Sequence, residues 1–120
     1  MKTLVLHHVT DVRDAGYEAI QFHGVLDAHT APQAEHKLSL MLRDAQAPYL
    51  MLDLSDFSYV NSNGIGLFLE MHMKCLNAGK KLVIAGLKAQ IADIFELVGL
   101  PKIIQTFQTT QKAIHYMTTS

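Results

Sequence analysis

The sequence predicts an α/β domain on a mixed, mostly parallel sheet of about five strands with about four helices. Three observations lead there. Short apolar-rich runs alternate with longer segments whose apolar residues recur at helical spacing. Proline, glycine or a capping residue marks most changes of period. The stretch Tyr49 to Leu54 is nearly all apolar apart from Asp53, as a central strand reads. Strand and helix in alternation imply right-handed crossovers between parallel neighbours.

The elements follow in order. Leu4 to Val9 and Glu18 to Gly24 are two short runs separated by the polar Thr10-Asp11-Val12-Arg13-Asp14-Ala15-Gly16. They are expected to pair as a hairpin, which makes the sheet mixed. Alternation in the second run puts Ala19, Gln21 and His23 on one side and Ile20, Phe22 and Gly24 on the other. Thr30 is placed to cap the first helix, with Pro32 in its first turn. Ala34, Leu38, Met41, Leu42 and Ala45 form its stripe, and Ala47-Pro48 stops it. Tyr49 to Leu54 is the third strand. A second helix is expected from about Gly64 to Ala78, with Ile65, Phe68, Leu69, Cys75 and Leu76 as its apolar stripe and Gly79 as its stop. Lys81 to Gly86 is another buried strand. A third helix is expected from about Ala89 to Val98, showing Ile91, Ile94, Phe95 and Val98 and ended by Gly99 and Pro101. Ile103 to Phe107 is a short strand, and Thr110 to Met117 a closing helix. The order is β-β-α-β-α-β-α-β-α in one domain, 1–120, with no repeat or linker.

Composition narrows the function. At 120 residues the chain supports one core, and with 49% hydrophobic and 18% charged residues it is globular. The net charge is -1, and no Lys/Arg cluster stands out, which argues against nucleic acid or an anionic membrane as partner. The single Cys75 rules out an intrachain disulfide and fits a reducing compartment. Met1 to Thr10 lacks the pattern of a signal peptide, and no apolar stretch approaches the roughly 20 residues of a membrane span. The expectation is a cytoplasmic protein with no membrane insertion.

One segment carries chemistry. Asn61-Ser62-Asn63-Gly64-Ile65-Gly66 follows the third strand and opens the second helix. That puts the Ser62 hydroxyl on an exposed turn at a helix N-terminus. Backbone donors and the helix dipole there favour an anion, including a phosphate on the serine itself. The two glycines keep the surroundings bare, so another protein can approach the backbone. The structural reading of the same residues is a helix N-cap, Ser62 or Asn63, worth roughly 1 kcal/mol. The two roles are compatible.

Other chemistries find less support. Asn61 and Asn63 flank Ser62 where a hydrolase elbow has glycines at wider spacing. Asp53 at a strand end suits a receiver domain, but Leu4 to Thr10 offers His7-His8 and no acidic pair for magnesium. Seven histidines show no zinc spacing, and there is no P-loop or dinucleotide fingerprint. No metal, no cofactor and no catalytic set are expected. Asp56 reads as a turn former, Asp27 as a loop hydrogen-bonder, and His29 adjoins Asp27.

Three blocks resemble one family. Gly24-Val25-Leu26-Asp27-Ala28-His29-Thr30-Ala31 resembles the G-x-L-D-x-x-T-A loop of STAS domains of the anti-sigma factor antagonist type. Leu52-Asp53-Leu54-Ser55 through Tyr59-Val60-Asn61-Ser62-Asn63-Gly64-Ile65-Gly66 resembles their D-L-s…D-S-[ST]-G-[LI]-G block. Phe95-Glu96-Leu97-Val98-Gly99-Leu100, followed by Ile103-Ile104, resembles their closing helix-turn-strand.

The resemblance implies a bacterial partner switch in transcription regulation. The unphosphorylated antagonist binds an anti-sigma factor that is also a serine kinase, and a client is released. Phosphorylation of the motif serine, here Ser62, separates the pair, and a PP2C-type phosphatase resets it. ATP and magnesium belong to those partners. Asn61, Ser62, Asn63, Gly64, Ile65 and Gly66 then form the partner-facing rim, with Asp27 and His29 nearby, on a monomer or weak dimer. Asn61 stands where the family has Asp, and Asn63 where it has Ser or Thr. The amide keeps the acceptor and drops the charge. The alternative is a constitutive STAS interaction module, such as a transporter accessory subunit, without phosphorylation.

Overall fold

The structure is a computed structural model that describes residues 3–9, 16–44 and 46–119. Its strands are β1 (Leu4–Val9), β2 (Tyr17–Leu26), β3 (Tyr49–Val60), β4 (Lys81–Ala85) and β5 (Gln105–Phe107). Its helices are α1 (Ala31–Asp44), α2 (Ser62–Asn77), α3 (Ala89–Val98) and α4 (Thr110–Thr118), with a 3-10 turn at Leu100–Lys102. The sheet order is β1-β2-β3-β4-β5. β1 pairs antiparallel with β2, and the remaining neighbours are parallel. The α/β class, the mixed sheet and the element order are those the sequence predicts. The expected turn at Thr10 to Ala15 and the stripe position Ala45 lie outside the described residues.

Strand order that follows sequence order has a consequence. Each parallel crossover moves one strand along the sheet with the same hand, so its helix falls on the same face. α1, α2 and α3 therefore share one side. Their buried residues, among them Leu38, Phe68, Met71 and Phe95, pack on Ile20, Phe22, Leu52, Leu54, Phe57 and Ile84 from the sheet. α4 covers the other side, with Ala113 and Met117 on Tyr17, Ala19, Met51, Val83 and Ala85. The rings of Phe22, Phe57 and Phe95 all lie within contact of Phe68, at centroid distances of 5.8 to 6.4 Å for the linked pairs. Edge-on contacts of this kind add to the area they bury. Phe68 lies two turns into α2, so the aromatic cluster fixes where that helix begins.

Several boundaries differ from expectation; β2, for one, runs from Tyr17 to Leu26 and not from Glu18 to Gly24. β3 runs on to Val60 instead of stopping at Leu54, because Phe57 and Val60 still face inward while Ser55, Asp56, Ser58 and Tyr59 face out. Register shifts against β2 at Gln21/His23 and Gly24/Val25 break the simple alternation there. α2 starts at Ser62 instead of about Gly64. Ile103 is not in a strand: it follows the 3-10 turn as its C-cap, and only Gln105–Phe107 pair with β4.

Candidate functional site

β2, β3 and β4 are parallel, so their carboxyl ends share one edge of the sheet, where α/β folds assemble sites. Two connections meet there: the loop from β2 to α1 and the turn from β3 to α2.

In the turn, Asn61 N–H donates to Leu26 O at 3.2 Å and ties the end of β3 to the end of β2. Asn61 is extended (φ -117, ψ -170), and its side-chain oxygen accepts from the N–H groups of Asn63 (3.0 Å) and Gly64 (3.4 Å). Its carbonyl accepts the first helical bond, from Ile65 N–H at 3.1 Å. The N-cap is therefore Asn61, and not Ser62 or Asn63 as expected. An Asn side chain fits this role because its short amide reaches the orphan N–H groups of the first turn. Ser62 becomes the first helical residue, exposed, and among the described residues its hydroxyl takes no hydrogen bond.

The glycines of the motif divide. Gly64 is buried, and a Cβ there would collide with Val60 Cγ2 and come within 3.0 Å of Leu26. Its place is required by helix-on-strand packing, so it faces the core and not the rim that the sequence suggested. Gly66 is exposed, and a Cβ there would meet nothing within 4 Å. Asn63 is exposed and Ile65 half-buried against the core.

In the loop, Asp27 and Thr30 bind each other's backbone. Asp27 Oδ1 accepts from His29 N–H (2.9 Å) and Thr30 N–H (3.1 Å). Thr30 Oγ1 accepts from Asp27 N–H and donates to Val25 O, both at 3.0 Å. The Thr30 N–H bond, aided by that of His29, holds the Asp27 carboxyl below its usual value against the opposing effect of partial desolvation. Asp27 is thus the loop hydrogen-bonder the sequence suggested, and His29 is exposed beside it.

Loop and turn border one groove of about 310 Å³. Ala28, Ala31, Pro32 and Glu35 line one wall, and Asn63, Gly66, Leu67 and Glu70 the other. Of the expected rim residues, Asn63 and Gly66 line it. Asp27 and His29 do not; Ala28 between them does.

Behind the groove lies a polar seam that sequence reasoning missed. Lys74 Nζ donates to Glu35 Oε1 (3.0 Å) and Ser39 Oγ (3.0 Å), and sits 3.5 Å from Glu70 Oε1. The Lys74 hydrogen bond and charge push Glu35 below the usual carboxylate range, and the same Glu35 bond raises Lys74. The spacings Glu35/Ser39 and Glu70/Lys74 were readable as helical neighbours, but their union across two helices was not.

The other candidate acids lie apart from the turn. Asp53 Oδ1 accepts from Ser55 Oγ (2.6 Å) and Ser55 N–H (3.0 Å), packed beside Gly86. Asp56 is inside β3, hydrogen-bonded to His23 Nδ1 at 2.8 Å, and is not a turn former. Cys75 is buried, which pushes its thiol up to about 11 and leaves it unreactive. Among the described residues no three His, Cys, Asp or Glu side chains converge as metal ligands. No helix among them is long and apolar enough to cross a membrane.

Comparison with known proteins agrees with this fold. The family model of the STAS domain matches residues 11–113. An anti-sigma-B factor antagonist of Staphylococcus aureus is 33% identical over 103 residues, 85% of this chain and 93% of that protein. Among solved structures, an anti-sigma factor antagonist from Mycobacterium paratuberculosis superposes with a TM-score of 0.83 at 19% identity, over 95% of this chain and 93% of that one. SpoIIAA, an anti-sigma factor antagonist and Bacillus cell fate determinant, is similar in its unphosphorylated form (TM-score 0.75, 19% identity, 93% and 95% of the two chains). It is also similar in its phosphorylated form (TM-score 0.67, 19% identity, 93% and 98%). The chain belongs to the STAS domain family.

Proposed function

We propose that this STAS domain is an anti-sigma factor antagonist whose switch is phosphorylation of Ser62. Unphosphorylated, it binds an anti-sigma factor that is also an ATP-dependent serine kinase. Phosphorylated, it is released, and a PP2C-type phosphatase returns it to the binding form. It acts in the cytoplasm as a binding protein and not as an enzyme, with ATP and magnesium held by its partners.

One observation carries the reading: Asn61 does the capping, so the fold has no use for the Ser62 hydroxyl. A hydroxyl that is exposed, without a hydrogen bond among the described residues and held on the first turn of a helix is suited to modification. The fold also tolerates the product. A phosphoserine brings about -1.5 to -2 charges, and a helix N-terminus favours negative charge. At a protein interface the same charge must be desolvated or repelled, and a few kcal/mol flips a complex. The S. aureus relative bears the name of such an antagonist, and SpoIIAA has been solved with and without phosphate. Both support the reading.

The test is modification by the cognate anti-sigma factor kinase. With ATP it should add one phosphate, mapped to Ser62 by mass spectrometry and absent in Ser62→Ala. A phosphate on Ser55 or Ser58 instead would sink the assignment. No phosphate at all would favour the constitutive module.

A further inference from the structure

A cavity of about 710 Å³ lies between the last turns of α1 and α2. It sits at the far end of both helices from Ser62, roughly 22 Å along α2. The volume is that of a small-molecule site, for which about 300–1,000 Å³ is usual. Leu42 and Ala78 give it an apolar lining, and Asn77 an amide.

Its charge is one-sided. Arg43, Lys74 and Lys80 line it, and no carboxylate does. The chain as a whole has 11 acids against 10 bases, so composition does not account for that. Helix dipoles account for part of it. Cations in a last turn, here Arg43 and Lys74, offset the negative end of a helix. Ion pairs account for a further part, since Lys74 already serves Glu35 and Glu70. Two charges are left over. Lys80 lies beyond α2, half-buried, and its ammonium donates to the neutral carbonyl of Ala47 at 2.7 Å. Among the described residues no carboxylate pairs with it. Among the same residues Arg43 reaches only Asp44, at 3.9 Å between two exposed side chains, a contact of little energy. Asp44 itself borders a different cavity, against β1 and β2. An ammonium with N–H groups to spare and a guanidinium with five thus line one cavity that offers neither a carboxylate.

We propose that this cavity binds a small organic anion of two or more negative charges, one against the Arg43 guanidinium and one against the Lys80 ammonium. Its carbon skeleton lies on Leu42 and Ala78. Phosphate esters and polycarboxylates share this chemistry, and the guanidinium fork fits either. The site stands apart from the antagonist reading: it needs no partner protein and no phosphate on Ser62.

The experiment titrates the whole chain with tripolyphosphate and, separately, with citrate, at fixed ionic strength because salt screens such charges. Calorimetry gives the affinity, and amide chemical shifts locate the anion. Wild type, Arg43→Gln, Lys80→Gln and Lys102→Gln are compared. Lys102 is an exposed lysine of the 3-10 turn that does not line the cavity. Thermal midpoints without anion check the fold. Arg43 is exposed, so Arg43→Gln keeps the test open should Lys80→Gln destabilise the chain. At least one of the two anions should bind, with shifts centred on Arg43 and Lys80. Arg43→Gln and Lys80→Gln should each weaken it by about tenfold or more, as loss of a charged hydrogen bond does. Lys102→Gln should leave it unchanged. The tighter anion then tells a phosphate ester from a polycarboxylate. Failure of both to bind at millimolar concentration would overturn the proposal. So would binding that survives Arg43→Gln, or that Lys102→Gln weakens as much, since the anion would then answer to another site or to net charge alone.

Discussion

The loop before α1 and the turn before α2 sit at the same sheet edge and start neighbouring helices, yet they use their polar side chains in opposite ways. In the first, Asp27 and Thr30 are closed on each other's backbone, with Thr30 only 4% exposed. In the second, Asn61 alone satisfies the first turn, and Ser62 and Asn63 are left to solvent. The loop is built to hold its shape. The turn is built to hold a shape and leave a hydroxyl over. The proposed switch residue is thus one whose side chain takes no part in the cap.

That contrast sets an order of effects. Thr30→Val should be the most damaging change, because it leaves Asp27 N–H and Val25 O without the Thr30 hydroxyl in a part-buried place. Urea unfolding should show a loss of about 2 kcal/mol, in the range for such orphaned groups. Asn61→Ala should cost about 1 kcal/mol as a lost cap, whereas Asn61→Asp keeps the acceptor and adds charge at the positive end of α2. Asn61→Asp should therefore melt no lower than wild type. Ser62→Ala should change stability by under about 0.5 kcal/mol, as an exposed residue outside the cap. If Ser62→Ala cost as much as Asn61→Ala, the division of labour in the turn would be wrong.

Acid sharpens the same comparison. The Asp27 carboxyl titrates below its unfolded value of about 3.9 because Thr30 and His29 N–H groups bind its charged form. A depressed folded pKa gives stability that is present above the unfolded value and lost as pH falls through the folded one. Asp27→Asn should therefore flatten the acid side of the stability profile below about pH 4 while leaving the profile near neutrality parallel to wild type. Ser62→Ala should leave the whole profile unmoved.

Much of this was legible in the sequence, for physical reasons. The end of α3 was readable because Gly99 in the left-handed conformation and Pro101 stop it sharply. The extension of β3 was hidden because two outward residues follow each inward one from Leu54 to Val60, a spacing that register shifts permit and strict alternation does not. The turn at Asn61 to Gly66 is legible in the sequence as a whole, but its cap residue is not. Asn, Ser and Asn all cap well, and only the extended backbone of Asn61 decides among them. Gly64 and Gly66 look alike in sequence. Their difference depends on Val60 and Leu26 lying beneath one and nothing beneath the other. The Lys74 seam joins two helices, and no local pattern reports that.

The most direct measurement on the central claim is the affinity of wild type and Ser62→Asp for the anti-sigma factor kinase, with both thermal midpoints recorded. Ser62→Asp should bind far more weakly while its midpoint stays within a few degrees of wild type, since a carboxylate on the first turn of a helix is tolerated or favoured. Equal affinities would contradict it: Ser62 would then be a bystander on an interaction module that does not switch.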